Sequence, residues 1–486
     1  MIDPSEMHLP WIEASILLPL AGAIWVRRLG DSERGRKWWL FFSGATFLLT
    51  VGTWLDFTLT GAAEADDRWR ICELWGQKSP IFVIDHLSAI MLPWLALLFF
   101  LTAVGTLQAK VRRFSFSWKL FYEAIALSIF SCKQPWILIA LLALGTIPPF
   151  LELRTRRKPT RIFVLHMSLY VLLLVVGESF VDRNAGPEEQ SLWAVLPLLV
   201  AVLVRCGIVP FHVWITDLFE HATLGTALLF VTPIVGAYAA VRLVLPIAPE
   251  VVLRSMGLLS LVTAVYAAGM ALIQREGRRF FCYLFLSHSA LVLVGLEMVT
   301  SIGLTGALCV WLSVGLSLGG FGLTLRALEA RRGRLSLANF QGLYEHAPNL
   351  AMCFVLTGLA SVGFPGTFGF VGMEILVDGA TVAYPHVGIS VVVAAAINGI
   401  AIVQAYFLLF TGTRYVSSVS LWLRARERYA VLTLAALILA GGFFPQPGVE
   451  SRHNAAKEIL DQRAALSAAG KAYARRPVPS EKTGTH

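Results

Sequence analysis

Long apolar stretches recur along the whole of this 486-residue sequence. Most approach the roughly 20 residues that an α-helix needs to cross the hydrocarbon core of a bilayer. Hydrophobic residues make up 56% of the chain and charged residues only 15%, which excludes an ordinary soluble domain. We therefore predict an all-α polytopic membrane protein with about fourteen transmembrane helices, over residues 10–27, 38–60, 82–107, 115–131, 135–152, 161–180, 191–214, 224–247, 250–273, 280–300, 302–325, 350–376, 387–411 and 429–444.

The basic residues alternate between loops. The formal net charge is +9, but the lysines and arginines follow the odd-numbered spans, for example at Arg27, Arg154 and Arg331, and the intervening loops are acidic or neutral. By the positive-inside rule, this parity places both termini on the non-cytoplasmic side of the inner (cytoplasmic) membrane. We expect a multi-pass protein whose surroundings are the lipid bilayer and other subunits, with no nucleic-acid partner.

The sequence contains no recognisable cofactor motif. The six cysteines are scattered, without the paired spacing of a zinc or iron–sulfur site. No glycine-rich phosphate loop, dinucleotide fingerprint or hydrolase elbow is found. We expect that this chain binds no cofactor and no metal, and that any redox chemistry occurs on a partner.

Two regions differ in composition. Residues 1–448 form the predicted integral membrane domain, and residues 449–486 form a polar C-terminal tail with a short helix predicted near 452–474. Within the membrane domain we predict two repeats, over about residues 115–247 and 250–411.

Glycine and proline interrupt two of the predicted spans. Pro210 breaks span seven just after the charged residue Arg205, and Gly363 and Pro365 break span twelve. The breaks are five spans apart, an odd number, so the two repeats would have inverted topology. Broken helices in inverted repeats are typical of transporters, because the freed backbone groups can hold ions. The alternative is that the prolines only kink packed helices, which membrane proteins tolerate.

Several motifs together resemble the antiporter-like membrane subunits of respiratory complex I, and most closely subunit M. They are Arg205 to Trp214, Gln274 to Arg279 with Tyr283 and Ser287-His288, Ala360 to Gly372, and Phe443 to Pro447 with His453. The resemblance covers about residues 80–455. The superfamily also includes Mrp-type cation/proton antiporters, membrane hydrogenase subunits and the membrane half of an inorganic-carbon uptake complex. The resemblance implies fourteen helices, two inverted five-helix units and a central row of ionisable residues that passes protons.

The sequence departs from the family pattern at the ionisable positions. Ala143 stands where the family has a glutamate, and Arg205 replaces the lysine of span seven. A guanidinium is effectively never deprotonated, so Arg205 can polarise a neighbour or bind an anion but cannot relay a proton by losing its own. In span eight, where the family has a lysine, residues Val231 to Gly236 include no ionisable side chain. In span eleven, Val314 stands where the family has a histidine. Met373 takes the place of a carboxylate, with Glu374 one residue later, about 100° around the helix.

The remaining candidates for a proton path are Arg205, His212, Glu220, His221 and Glu374. Carboxylates and histidines are suited to it because they can hold and release a proton. Each has a structural alternative. His212 can stabilise the kink by donating to a backbone carbonyl, and Glu220 and His221 can belong to a solvated loop.

Three functions remain open. The first is a proton-translocating subunit of a complex I-like NADH:quinone oxidoreductase or a related energy-coupling complex, with quinone-reducing redox subunits as partners. This subunit would contain no redox centre and would have no dehydrogenase activity alone. The second is the membrane subunit of a proton-driven transporter, either an Mrp-type antiporter or an inorganic-carbon uptake complex with a soluble zinc-protein partner. The third is a non-conducting scaffold subunit.

Overall fold

The protein is almost entirely helical. The computed structural model describes residues 7–30, 33–66, 80–106, 115–183, 185–412 and 425–474. Its helices are α1 (Trp11–Leu29), α2 (Glu33–Thr60), α3 (His86–Val104), α4 (Phe116–Ser131), α5 (Pro135–Leu144), α6 (Ile147–Thr155), α7 (Arg161–Ser179), α8 (Leu192–Cys206), α9 (Val213–His221), α10 (Leu224–Val231), α11 (Val235–Ala239), α12 (Glu250–Leu272), α13 (Gly277–Leu296), α14 (Ser301–Arg332), α15 (Pro348–Ser361), α16 (Phe368–Ala383), α17 (Pro385–Phe410), α18 (Ala425–Phe443) and α19 (Gln446–Ala474).

Every predicted span coincides with one of these helices or with a run of helices separated by short breaks. In the described part of the chain, nine continuous or slightly bent helical segments are long and apolar enough to cross a membrane, or ten if α18 and α19, bent by 82°, form one span. Of the other predicted spans, the first is the continuous 19-residue helix α1, and spans four, seven and twelve are short or divided. The all-α polytopic fold is thus confirmed, whereas the division into domains stays a prediction. The tail helix α19 begins earlier than expected, at Gln446, and residues 475–486 lie outside the described part.

The two predicted breaks have the same local geometry. Gly207 and Gly363 follow the last turn of α8 and α15 with φ of +69° and +86°, in the left-handed region that favours glycine. In each case the next residue donates its N–H to the carbonyl five residues back, from Ile208 to Leu203 at 2.9 Å and from Phe364 to Leu359 at 3.1 Å. This is the hydrogen bond of a Schellman motif, which satisfies a carbonyl at the helix end. The shared motif supports the equivalence of spans seven and twelve.

Span eight is broken as well. After α10 the chain turns at Thr232 to Ile234, where Ile234 has a φ of +48°, and residues 240–244 continue α11 as a π-helix. The indole Nε1 of Trp311 donates to the Pro233 carbonyl at 3.1 Å and so satisfies a backbone oxygen that the break leaves without a helical partner. The sequence prediction of one continuous helix over 224–247 did not include this break.

Both ends of the described chain lie at one end of the helix bundle. There, β1 (Glu64–Asp66) pairs with β2 (Val83–Asp85) in an antiparallel hairpin. The Met7 N–H donates to the Asp66 carbonyl at 3.1 Å, and α19 packs against α3 and α14. The basic residues Arg156, Arg278 and Arg331 lie at the opposite end, beside the start of α4 and the end of α14.

Helix α14 is the enclosed centre of the bundle, since residues 303–325 are all buried. It packs closely against α16 at Gly306. A Cβ added to Gly306 would lie 2.5 Å from the backbone nitrogen of Leu376 and 2.6 Å from its Cα. Backbone atoms cannot move aside as a flexible side chain can, so this contact requires glycine. Small residues of this kind let transmembrane helices approach closely.

Gly306→Ala is therefore expected to destabilise the protein by about 1–3 kcal/mol, the usual cost of overpacking. Gly269→Ala in α12 is the matched control, because in the described part of the chain no heavy atom beyond its chain neighbours and the backbone of its own helix lies within 4 Å of the added Cβ. The measurement is the thermal melting temperature of each purified full-length variant in detergent. Equal melting temperatures for the two variants would contradict the close α14–α16 contact.

Candidate functional site

Arg205 lies inside the bundle at the end of α8, where 5% of the residue is exposed. Its Nη2 donates to the Phe230 carbonyl at 3.1 Å. The guanidinium carbon lies 4.1 Å from the centroid of the Phe230 ring and 5.5 Å from that of Trp214. The Trp214 indole donates to the Val204 carbonyl at 2.7 Å, which fixes this ring across the break in span seven. The sequence prediction of a buried cation beside a helix break agrees with this geometry.

A second buried charge pair lies nearby. The Lys119 Nζ on α4 is 3.0 Å from Oε2 of Glu152 on α6, and these side chains are 4% and 12% exposed. The Thr226 hydroxyl bonds both the ammonium and the carboxylate. The Thr223 N–H donates to the other Glu152 oxygen at 2.9 Å. Arg156 adds a weaker contact to that oxygen at 3.7 Å. The carboxylate is thus held by several donors at once.

This pair lies about one helical turn from Arg205. Tyr122 follows Lys119 by three residues on α4, and Phe230 follows Thr226 by four residues along α10. The Tyr122 and Phe230 rings are in contact, with centroids 5.9 Å apart, and the Phe230 carbonyl accepts from Arg205. Since a turn rises about 5.4 Å, the Lys119–Glu152 pair and Arg205 occupy successive layers of one column.

A row of further charges continues across the basic end of the bundle. Arg326 on α14 interacts electrostatically with Glu152, Glu329 and Glu427. Its guanidinium also donates to the Thr102 carbonyl at 3.0 Å. Ion pairs join Arg278 to Glu329 and Arg331 to Glu427. The charges of α4, α6, α13, α14 and α18 therefore form one electrostatic network.

A separate charge cluster lies at the opposite end. The fully buried Asp85 accepts from Arg242 at 2.6 Å and from Lys133 at 2.8 Å. Lys133 also contacts Glu64 of the hairpin at 2.9 Å and Glu458 of α19 at 3.3 Å. Burial alone would raise the pKa of the Asp85 carboxyl, but Arg242 and Lys133 outweigh it and hold that pKa far below its usual range. The cluster ties the hairpin, α3 and α19 together.

Polar groups without a fixed charge occupy the middle of the second repeat. The buried His288 Nδ1 donates to the Leu284 carbonyl at 2.7 Å. Asn398 of α17 donates to the Ser287 hydroxyl at 2.8 Å, and that hydroxyl donates to the Ala264 carbonyl at 2.8 Å. The described residues place no carboxylate in this group.

The histidine candidates lie off this column. His212 is half-buried between Tyr266 and Tyr283, with ring centroids 5.8 and 6.2 Å away. His221 Nδ1 lies 3.0 Å from an Asp217 carboxylate oxygen. Glu220, 35% exposed, lies 3.6 Å from Arg279 and 3.7 Å from Arg334 in the basic surface. Glu220 thus lies in a solvated, ion-paired region, as expected from the alternative to a role in the proton path.

The structure does not bring Glu374 to the column. Met373 is buried and Glu374 is exposed, so the one-residue shift from the family position turns the carboxylate to the outside of the bundle. The prolines of the two breaks, Pro210 and Pro365, are also exposed. Of the predicted site residues, only Arg205 lies deep in the bundle.

The candidates predicted from the sequence include neither Lys119 nor Glu152. Both lie within a few residues of a helix end, where charges are usually solvated. The sequence signal that could have indicated this pair is the presence of opposite charges in neighbouring spans, Lys119 in span four and Glu152 in span five. Glu123, which is also not among the predicted candidates, is fully buried and accepts from the Ser43 hydroxyl at 3.0 Å.

Among the described residues, no group of three or more His, Cys, Asp or Glu side chains could hold a metal ion. The absence of a bound cofactor remains a prediction.

The Asp85 cluster yields a stability prediction. Asp85→Asn leaves Arg242 buried without its carboxylate, which typically costs about 3–5 kcal/mol. Glu64→Gln is the control, because Glu64 contacts the same Lys133 but is 49% exposed and should contribute at most about 1 kcal/mol. Thermal melting in detergent measures both. Since the folded-state pKa of Asp85 is lowered, its contribution is present above about pH 4 and declines as the pH falls. An Asp85→Asn variant as stable as Glu64→Gln would contradict the prediction.

The similarity to known proteins agrees with this architecture. Residues 163–398 match the family described as NADH:quinone oxidoreductase/Mrp antiporter, TM. NADH-quinone oxidoreductase subunit 13 of Thermus thermophilus is 29% identical over 76% of this chain and 83% of its own length. Subunit M of Pseudomonas aeruginosa is 26% identical, over 91% of this chain and 95% of its own.

Solved structures share the fold. A chain of respiratory complex I from Thermus thermophilus superposes with a TM-score of 0.79 at 22% identity, over 93% of this chain and 99% of that one. A chain of the Mrp complex from Dietzia sp. superposes with a TM-score of 0.80 at 16% identity, over 94% and 99%. The resemblance inferred from the motifs is thereby confirmed: this chain has the fold of the antiporter-like membrane subunits of complex I and Mrp complexes, and its residues 163–398 match the sequence model of that family.

Proposed function

We propose that this chain is a proton-conducting membrane subunit of a multi-subunit energy-coupling complex, of the complex I type or a related one. Its relatives of similar length are named as quinone oxidoreductase subunits, and the solved structures that it resembles are parts of larger assemblies. Other membrane subunits are therefore its partners. The redox reaction that drives it belongs to those partners, because this sequence contains no redox motif.

The observation that carries the proposal is the buried Lys119–Glu152 pair. The family glutamate of span five is absent at Ala143, but Glu152 lies nine residues later in the same span and is held by a lysine. A buried carboxylate whose charge depends on a neighbouring ammonium gains or loses a proton when that ammonium moves. The pair can thus perform the chemistry that the resemblance assigns to the missing position.

Arg205 has a different role in this proposal. Its guanidinium stays charged, so it cannot take up and release protons. Located one turn from Lys119 and Glu152, it contributes a fixed positive field that favours the ionised form of the carboxylate. The hydroxyl of Thr226 bridges both members of the pair and provides a short step for a proton.

Beyond this column the route passes along the row of charges on α14. Arg326 links Glu152 electrostatically to Glu329 and Glu427. The histidine and amide groups around His288 and Asn398 then offer polar sites within the second repeat. Ordered water would be needed between these groups, as is common in membrane proton paths.

Glu152→Gln is expected to lower proton flux by about tenfold or more, because the substitution removes the titratable group while keeping its size. The native complex, purified through a tag on this chain, is reconstituted into liposomes with an internal pH-sensitive dye and energised by a potassium gradient with valinomycin. Mass spectrometry of the same preparation verifies assembly.

Mass spectrometry also identifies the partners: redox subunits support a respiratory complex, whereas a soluble zinc protein without redox subunits indicates inorganic-carbon uptake.

Two variants separate conduction from folding. Lys119→Met combined with Glu152→Gln removes both charges and so leaves neither one buried alone. Glu220→Gln is the control, since this carboxylate lies in the exposed basic surface. Normal flux through a correctly assembled double variant would refute the proposed role and favour a non-conducting scaffold.

We further propose that the protein lies in the cytoplasmic membrane with both termini on the non-cytoplasmic side. The alternation of basic loops supports this orientation. So does the location of Met7 and α19 at the end opposite to Arg278 and Arg331.

Fusions to the C-terminus of the full chain test the orientation. Alkaline phosphatase, which folds only after export, is expected to be active there, and green fluorescent protein is expected to be dark. The reverse pattern would place the terminus in the cytoplasm.

A further inference from the structure

Arg205 is a buried cation without a carboxylate partner in the part of the chain that the structure describes. Its only hydrogen bond there goes to the Phe230 carbonyl, and none of the ion pairs includes it. Two other buried cations are neutralised directly, since Lys119 contacts Glu152 and Arg242 contacts Asp85. A charge within the membrane domain is costly when nothing opposes it.

The aromatic rings around Arg205 compensate only part of this charge. The guanidinium carbon lies over the Phe230 ring, 4.1 Å from its centroid, and 5.5 Å from the centroid of Trp214. Cation–π contacts of this kind offset less free energy than the desolvation of a charge costs. Four of the five N–H groups of the guanidinium make no hydrogen bond within the described residues.

A second donor without a partner is close to the same charge. Tyr170 on α7 is fully buried, and within the described residues its hydroxyl has no hydrogen-bond partner. Tyr170 and Tyr122 both interact electrostatically with Arg205. A buried hydroxyl without a partner is unusual and requires an explanation, such as a bound ion or water.

These groups have complementary chemistry. The edge of the guanidinium and the phenol hydroxyls can all donate, and the site carries a positive charge. Small anions are bound by donors of this kind, and the planar fork of arginine is suited to oxyanions in particular. A neutral water could satisfy the hydroxyl but would leave the charge without an opposing one.

We propose that Arg205, together with Tyr170 and Tyr122, binds a small monovalent anion inside the membrane domain. Bicarbonate and chloride share the required charge and size. Anion binding at this site does not require proton transfer through Glu152, although a bound anion would offset the positive field that Arg205 exerts on that carboxylate.

The experiment is equilibrium binding of radiolabelled chloride to the purified native complex, measured by scintillation proximity in sodium gluconate at constant ionic strength. Saturable binding that is lost in Arg205→Gln is expected. Tyr170→Phe should weaken it by about tenfold, because one hydrogen bond to the anion is removed. Arg334→Gln is the control, since this cation lies in the exposed basic surface and should leave binding unchanged.

Competition distinguishes the two anions. Displacement by bicarbonate below equimolar concentration identifies an oxyanion site, and displacement only at large excess identifies a halide site. Either result supports the proposal.

Binding that is absent from the wild-type complex, or that persists unchanged in Arg205→Gln, would overturn the proposal. Because Arg205→Gln removes a buried charge, Tyr170→Phe provides the test in a variant whose packing is nearly unaltered. Failure of the Glu152→Gln flux experiment would not affect this result.

Discussion

The compensation of charge within an apolar bundle governs much of this structure. Lys119 opposes Glu152 near one end of the bundle, and Arg242 and Lys133 oppose Asp85 near the other. Each group joins helices that are distant in sequence: α4 to α6, and the π-helix after α11 to the hairpin and α19. Burying an unpaired charge would cost free energy, but each paired charge here stabilises a specific arrangement of helices. Arg205 has no such carboxylate among the described residues, and this is the starting point of the binding proposal.

The architecture could be read from the sequence because length and hydropathy determine which segments can span a bilayer. The breaks at Gly207 and Gly363 were likewise predictable, since glycine and proline punctuate a helix for reasons of backbone geometry alone. The turn at Thr232 to Ile234 was harder to predict. Its proline was visible, but the left-handed Ile234 depends on tertiary contacts such as the bond from Trp311.

The site was less predictable than the fold. Side-chain direction on a helix changes by about 100° per residue, so Glu374 faces outward although its neighbour Met373 is buried. Lys119 and Glu152 are 33 residues apart, and no local pattern links them. Their meeting depends on how α4 and α6 pack, which hydropathy does not specify. Family motifs gave the position of Arg205 correctly, but they could not indicate where a displaced carboxylate would be found.

The close contact at Gly306 has a mechanical consequence. Helix α14 has 32 residues and is about 48 Å long, so it extends through the bundle as one rod. Near its beginning, Gly303 and Gly306 lie against the backbone of α16, and near its end Arg326 and Arg331 take part in the row of charges. A shift of the outward-facing helix α16 would move this rod as a rigid body. Displacement at the exposed surface would then become a change in electrostatic field around Glu152.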